Sequence, residues 1–263
     1  MRQFVLPSSY SGEPQIRIDG DSFRYLMRVL RMQDGERIPG LTAQGKRVEL
    51  TIVARDARSC LLRVEEAGSS KPAGAPAPSD GLSRALPRIT LYQCLPKGRK
   101  LDLIIRQATE VGVARIVPVE SAHSIPRYAG EESQAKTARW KRIVREALQQ
   151  SGNIVVPEVS GPITLETLPE DWGARGIGLF FHERPLANTT LHEYLFSDAT
   201  DVALVIGPEG GLSPEEVETL HRAGFGGIYL GENVLRVETA ALFAVAAVRV
   251  VFLEKDAWRP RVR

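Results

Sequence analysis

The sequence predicts a two-domain α/β protein: a small β-rich N-terminal domain with one helix, then a mostly parallel sheet with helices on both faces. Three observations predict it. Apolar strand-like runs alternate with helical patterns after residue 88, a Gly/Pro/Ala/Ser-rich connector precedes them, and two glycine loops each follow a strand.

Near the N-terminus, residues 22–31 place Phe23, Leu26, Met27 and Leu30 on one helical face, and residues 48–54 and 60–65 alternate as short strands. The run from Gly68 to Gly81 holds too little apolar surface to fold and reads as an extended connector. The boundaries are therefore an N-terminal domain over residues 1–68, a linker over 69–87 and a C-terminal domain over 88–263. In that last domain, residues 89–95, 115–119, 177–181, 202–206 and 227–230 read as strands, and 101–111, 137–150, 214–223 and 239–253 as helices. The first of these helices buries Leu101, Ile104, Ile105, Ala108 and Val111. The second buries Trp140, Ile143, Val144, Ala147 and Leu148, with Arg139, Lys141, Arg142 and Arg145 nearer solvent. The last is apolar nearly all round, which predicts burial against both the sheet and a partner subunit.

At 263 residues, 43% hydrophobic and 25% charged, the chain has room for two modest cores and is not disordered by composition. No apolar run is long enough to span a bilayer, and the N-terminus lacks the apolar content of a signal peptide. Cys60 and Cys94 lie in separate segments, so neither a disulfide framework nor a thiolate metal site is expected; His123, His182, His192 and His221 show no metal spacing. The expectation is a cytoplasmic protein without metal. Net charge is only +2 but uneven: residues 97–145 carry eleven Lys/Arg against five Asp/Glu, and residues 146–248 carry four against fifteen. The basic stretch can meet phosphates, and the acidic stretch should not lie along an RNA backbone.

The informative loops are Gly207-Pro208-Glu209-Gly210-Gly211-Leu212-Ser213-Pro214-Glu215-Glu216, and Leu230-Gly231 with Val234-Leu235-Arg236-Val237-Glu238-Thr239-Ala240. Both stand at the carboxyl ends of parallel strands, where open α/β sheets bind ligands. Ser213 reads as an N-cap with Pro214 at N1 and Glu216 closing a capping box. The first loop lacks the Lys-Ser/Thr end of a phosphate-binding P-loop and the spacing of a dinucleotide fingerprint. An uncharged ligand against backbone amides suits it better, with Leu230, Val234 and Leu235 as apolar contacts. Phe180-Phe181-His182-Glu183 follows another strand and would add a third loop to the same cleft, although both Phe residues also fit a core. Arg236 sits near a helix N-terminus, where a cation is not favoured by the helix dipole. It is either the partner of Glu238 or Glu209 in an ion pair, or a functional cation.

This pair of loops resembles the RsmE family of SPOUT-class RNA methyltransferases. The resemblance extends through Lys97-Gly98, Gln107-Ala108-Thr109-Glu110-Val111-Gly112-Val113 and Pro118, through Arg139-Trp140-Lys141, Gln150-Ser151-Gly152 and Pro157, and through Val29-Leu30-Arg31 with Gly35. It implies a trefoil-knotted C-terminal domain, a PUA-like N-terminal barrel that holds RNA, and an obligate homodimer. It also implies S-adenosylmethionine as cofactor and methylation of uridine N3 in 16S rRNA of the small ribosomal subunit. The cofactor contacts it implies are Phe181, His182, Ile206, Gly207, Pro208, Glu209, Gly210, Gly211, Leu230, Gly231, Val234, Leu235, Arg236 and Thr239. Arg236 would stabilise the uridine anion, with Glu209, Glu238 or His182 taking the N3 proton. RNA contacts are expected from Arg28, Arg31, Lys97, Arg99, Lys100, Arg139 and Arg142.

The chain departs from the family pattern at His123, Asn153 and Asn233, where cations are usual. Two other classes fit similar loops: a SPOUT enzyme methylating tRNA ribose 2′-oxygens, and a non-catalytic RNA-binding assembly protein.

Overall fold

A computed structural model describes residues 3–67, 86–128, 130–186, 189–196 and 199–254. Most of the expected linker and the last nine residues lie outside the described residues. By contact the chain forms two compact units.

In the N-terminal unit, β1 (Phe4–Val5), β2 (Gln15–Asp19), β3 (Arg37–Leu41), β4 (Arg47–Arg55) and β5 (Ser59–Glu66) form one sheet in the order β1-β3-β4-β5-β2. Only the β1–β3 pair is parallel. Alternation along β4 sends Val48, Leu50 and Ile52 inward, where they meet Phe4, Leu6, Ile18, Leu26, Ile38 and Leu62. The expected helix over 22–31 is α1 (Gly20–Arg24) followed directly by a π turn, Tyr25–Val29, closed by Leu30 N–H donating to Tyr25 O at 3.0 Å. Of its expected apolar face only Leu26 is fully buried; Phe23, Met27 and Leu30 are half-buried.

Residues Arg145–Val156 belong by contact to this same unit. The buried Gln3 side chain donates from Nε2 to the carbonyls of Leu148 (2.9 Å) and Asn153 (2.8 Å), so two distant stretches of chain share the first strand's polar end.

The C-terminal unit holds β6 (Arg88–Cys94), α2 (Lys100–Glu110), β7 (Arg115–Glu120), most of α3 (Gly130–Ser151), β8 (Glu158–Val159), β9 (Ile163–Thr164), α4 (Leu168–Trp172), β10 (Ile177–His182), α5 (Leu191–Tyr194), β11 (Asp201–Ile206), α6 (Pro214–Arg222), β12 (Gly226–Tyr229) and α7 (Val237–Glu254). Every strand pair is parallel, in the order β12-β10-β11-β6-β7-β8 with β9 also on β7. The central strands read as continuous apolar runs because both faces are covered. One face packs Tyr92, Val117, Phe180, Val205, Leu220 and Phe225 together. Arg115 makes a two-point salt bridge to Asp171 at 2.6 and 2.8 Å, and the Tyr92 hydroxyl donates to the same carboxylate at 2.6 Å, which fixes α4 on the sheet. After β12 the chain returns as α7 onto α2 and β11. Its inward residues Val237, Ala241, Ala244, Val245, Val248, Val251 and Phe252 are buried, while Phe243, Val250 and Leu253 are about half exposed.

Candidate active site

Because β10, β11 and β12 run parallel, their carboxyl ends at His182, Ile206 and Tyr229 lie along one edge of the sheet, and the three following loops enclose a single cleft. Its volume is about 830 Å³ with the open mouth included, a size suited to a small-molecule ligand. From β10 the cleft takes Phe181, His182 and Glu183. From β11 it takes Ile206, Gly207, Pro208, Glu209, Gly211 and Leu212, and from the β12–α7 passage Leu230, Gly231, Asn233, Val234, Leu235, Val237 and Ala240.

Eleven of the fourteen expected cofactor contacts thus meet in one place. Gly210 and Arg236 on the same loops, and Thr239 in the first turn of α7, do not line the cleft. A Cβ on Gly210 would lie 2.9 Å from the His123 Cβ, so this glycine is required by a neighbouring loop. Leu212, Asn233, Val237 and Ala240 line the cleft without having been expected as contacts, and so does Glu183, which was placed on the third loop of the cleft but not among the cofactor contacts. Glu183 and Leu212 simply extend segments whose adjacent residues were named, and Val237 and Ala240 form the first turn of α7.

Local chemistry fixes the loops. Gly211 (φ +71°) and Gly231 (φ +112°) occupy backbone conformations that side-chain-bearing residues rarely adopt. Gly211 N–H closes a turn on Pro208 O at 3.0 Å. The expected cap is present: Ser213 Oγ accepts from Glu216 N–H at 3.2 Å, and Glu216 Oε2 accepts from Ser213 N–H at 2.8 Å, with Pro214 in the first turn.

The charged groups divide into engaged and unengaged. Glu209 accepts from Lys100 Nζ at 2.6 Å and from Lys97 N–H at 3.2 Å. Partial burial opposes its charge, but the Lys100 ammonium and the surrounding amides hold its carboxyl below the usual carboxylate range. His182 Nδ1 accepts from Arg184 N–H at 3.0 Å. In the neutral ring the proton therefore sits on Nε2, and His182 is a hydrogen-bond donor whose one lone pair is already used. Arg236 is exposed, with no ion pair among the described residues, and Glu238 keeps a buried Oε2 without a hydrogen-bond partner. Neither of the two expected ion pairs of Arg236 forms.

Of the expected RNA contacts, Arg28, Arg31, Lys97, Arg99, Arg139 and Arg142 are exposed and Lys100 is half-buried. Lys100 is engaged by Glu209 and Arg139 by Asp102 at 2.5 Å. Among the described residues no His/Cys/Asp/Glu group is arranged to hold a metal, and no helix is long and apolar enough to cross a membrane. Cys60 and Cys94 are buried, and burial pushes the Cys94 thiol up to about 12.

Comparison with known proteins follows the same lines. The RNA methyltransferase domain matches residues 84–249. Ribosomal RNA small subunit methyltransferase E of Mycobacterium bovis is 31% identical over 244 residues, covering 91% of this chain and 88% of that one. The protein of the same name from Aquifex aeolicus is 34% identical, covering 83% and 87%. Among solved structures, ribosomal RNA small subunit methyltransferase E from Neisseria gonorrhoeae, bound to S-adenosyl methionine, superposes with a TM-score of 0.78 at 25% identity, covering 95% of this chain and 98% of that one. A methyltransferase from Legionella pneumophila with bound SAM superposes with a TM-score of 0.78 at 26% identity, covering 94% and 96%.

Proposed function

The chain belongs to the ribosomal RNA small subunit methyltransferase E family, and on that premise we propose that it methylates N3 of a uridine in 16S rRNA with S-adenosylmethionine as methyl donor. The observation that carries the reading is the cleft built from two glycine loops at the carboxyl edge of the sheet.

The residues present fit that cofactor. Gly207, Gly211 and Gly231 put main chain rather than side chain on the cleft, and Ile206, Leu212, Leu230 and Leu235 offer apolar walls to an adenine ring. His182 presents an N–H suited to a ribose hydroxyl. When bound, S-adenosylmethionine supplies an electrophilic sulfonium methyl. The protein's task is to make N3 a nucleophile and to hold it in line with that methyl.

Uridine N3 carries a weakly acidic proton, so its removal leaves negative charge on N3 and the flanking carbonyl oxygens. Arg236, with no ion pair among the described residues, is assigned to stabilise that charge. Glu209 is a poor base because Lys100 favours its ionised form, and His182 has its lone pair on Arg184. Glu183 lines the cleft with no ion pair among the described residues, and we assign it the proton. The target edge takes part in base pairing, so the uridine must be unpaired or flipped out.

The N-terminal sheet is read as a PUA-like barrel holding RNA, with Arg28 and Arg31 on phosphates. The C-terminal unit is read as a trefoil knot, supported by the return of α7 from the edge strand β12 onto α2 and β11. The Phe243–Val250–Leu253 stripe suits the contact between two copies in a homodimer working in the cytoplasm. Mass spectrometry of 16S rRNA from cells lacking the gene tests the whole reading. Loss of one 3-methyluridine is expected, and an unchanged nucleoside profile would refute it.

A further inference from the structure

A second loop, which does not line the cleft, grips the glycine loop that does. Residues 121–124 follow β7 and form a fixed turn: Ser124 N–H donates to Ser121 O at 3.1 Å, and the two buried serine hydroxyls are 2.9 Å apart. Ala122 N–H donates to Glu216 Oε1 at 2.7 Å while Glu216 Oε2 accepts from Ser213, so one buried carboxylate ties both loops together. His123 comes next. Its Nδ1 is 3.0 Å from Gly211 O, and because a carbonyl only accepts, Nδ1 carries the proton. The ring can come this close because Gly210 has no side chain.

We infer that His123 is a positioning residue for the cofactor, acting through the carbonyl of Gly211. Gly211 lines the cleft in a left-handed conformation, and the direction of its peptide decides how the main chain of residues 207–212 meets a ligand. The His123 hydrogen bond pins that carbonyl from outside, and the Glu216 tie keeps residues 121–124 from moving away. The inference rests on the reading of the cleft as the S-adenosylmethionine site.

The test uses the full chain and three variants. Asn carries a side-chain N–H where the His Nδ1 lies, whereas Gln carries one where Nε2 lies. By calorimetry, His123→Ala should weaken S-adenosylmethionine binding roughly tenfold, the worth of one well-made hydrogen bond. His123→Asn should restore it to within about twofold, and His123→Gln should behave as the alanine variant. In steady state the loss should fall on KM for S-adenosylmethionine, with kcat near wild type. Amide exchange of residues 207–212 without ligand should quicken in His123→Ala and His123→Gln and be slowed again in His123→Asn. Wild-type affinity in His123→Ala, or equal loss in all three variants, overturns the inference. A wild-type protein that fails to bind S-adenosylmethionine overturns the cofactor reading instead, and the exchange experiment then still decides whether the pin exists.

Discussion

The Lys100 ammonium lies 2.6 Å from the Glu209 carboxylate, which joins the start of α2 to the glycine loop after β11. Glu209 is therefore an anchor, and the cleft surface it contributes is held by a neighbour that does not line the cleft.

Glu209→Gln should keep the backbone contact from Lys97 and lose the ionic one. Both partners retain solvent access, so the expected stability change is below about 1 kcal/mol, with a few-fold rise in KM for S-adenosylmethionine. A loss of kcat of about 10³ with unchanged KM would instead make Glu209 the base.

Arg236→Ala should leave the melting temperature and cofactor affinity near wild type and lower the single-turnover methylation rate by roughly 10²–10³. Arg236→Lys should recover only part, since a point charge lacks the planar fork of guanidinium. A variant that melts several degrees lower would point to a structural partner for Arg236.

Glu183→Gln should lower the single-turnover methylation rate by roughly 10²–10⁴ with cofactor affinity near wild type, whereas Glu238→Gln should leave the rate nearly unchanged. Equal rates in both variants and wild type would remove the carboxylates from the chemistry.

Gly231→Val should fold yet bind S-adenosylmethionine at least tenfold more weakly. Among the described residues beyond its chain neighbours no atom lies within 4 Å of its added Cβ, but a φ of +112° forces the backbone to rearrange on the cleft. Gly210→Ala should act by pushing His123 aside, and its effect should not add to that of His123→Ala.

Asp171→Asn should destabilise the fold by about 2 kcal/mol, because it weakens the hold on Arg115 in a partly buried site, without altering cofactor affinity. The Arg115 guanidinium holds the Asp171 carboxyl below its ordinary 3.8. Its contribution to stability is thus complete above that pH and is lost as pH falls through the lower folded value. Acid unfolding of the variant should lack this component.

The sheet was legible because β6, β7, β10 and β11 are apolar runs of strand length, and the α6 cap because Ser213-Pro214-Glu215-Glu216 specifies it locally. Less could be read at the N-terminus. Pro39 and Gly40 disguise β3, the mixed exposure of β2 hides its alternation, and a π turn inside a helical pattern has no periodicity of its own. In the site, the glycine loops announced themselves, but which charges are engaged did not. Glu209 with Lys100 and His123 with Gly211 are pairs separated by about a hundred residues, and only the folded sheet brings them together.

Gln3 reaching the carbonyls of Leu148 and Asn153 also sets an order of events during synthesis. The first strand leaves the ribosome before the stretch that meets Gln3, which is made some 145 residues later. By contact the N-terminal unit includes residues 145–156, so residues 1–68 expressed alone would lack part of that unit. Cutting at the connector would not release two self-sufficient halves.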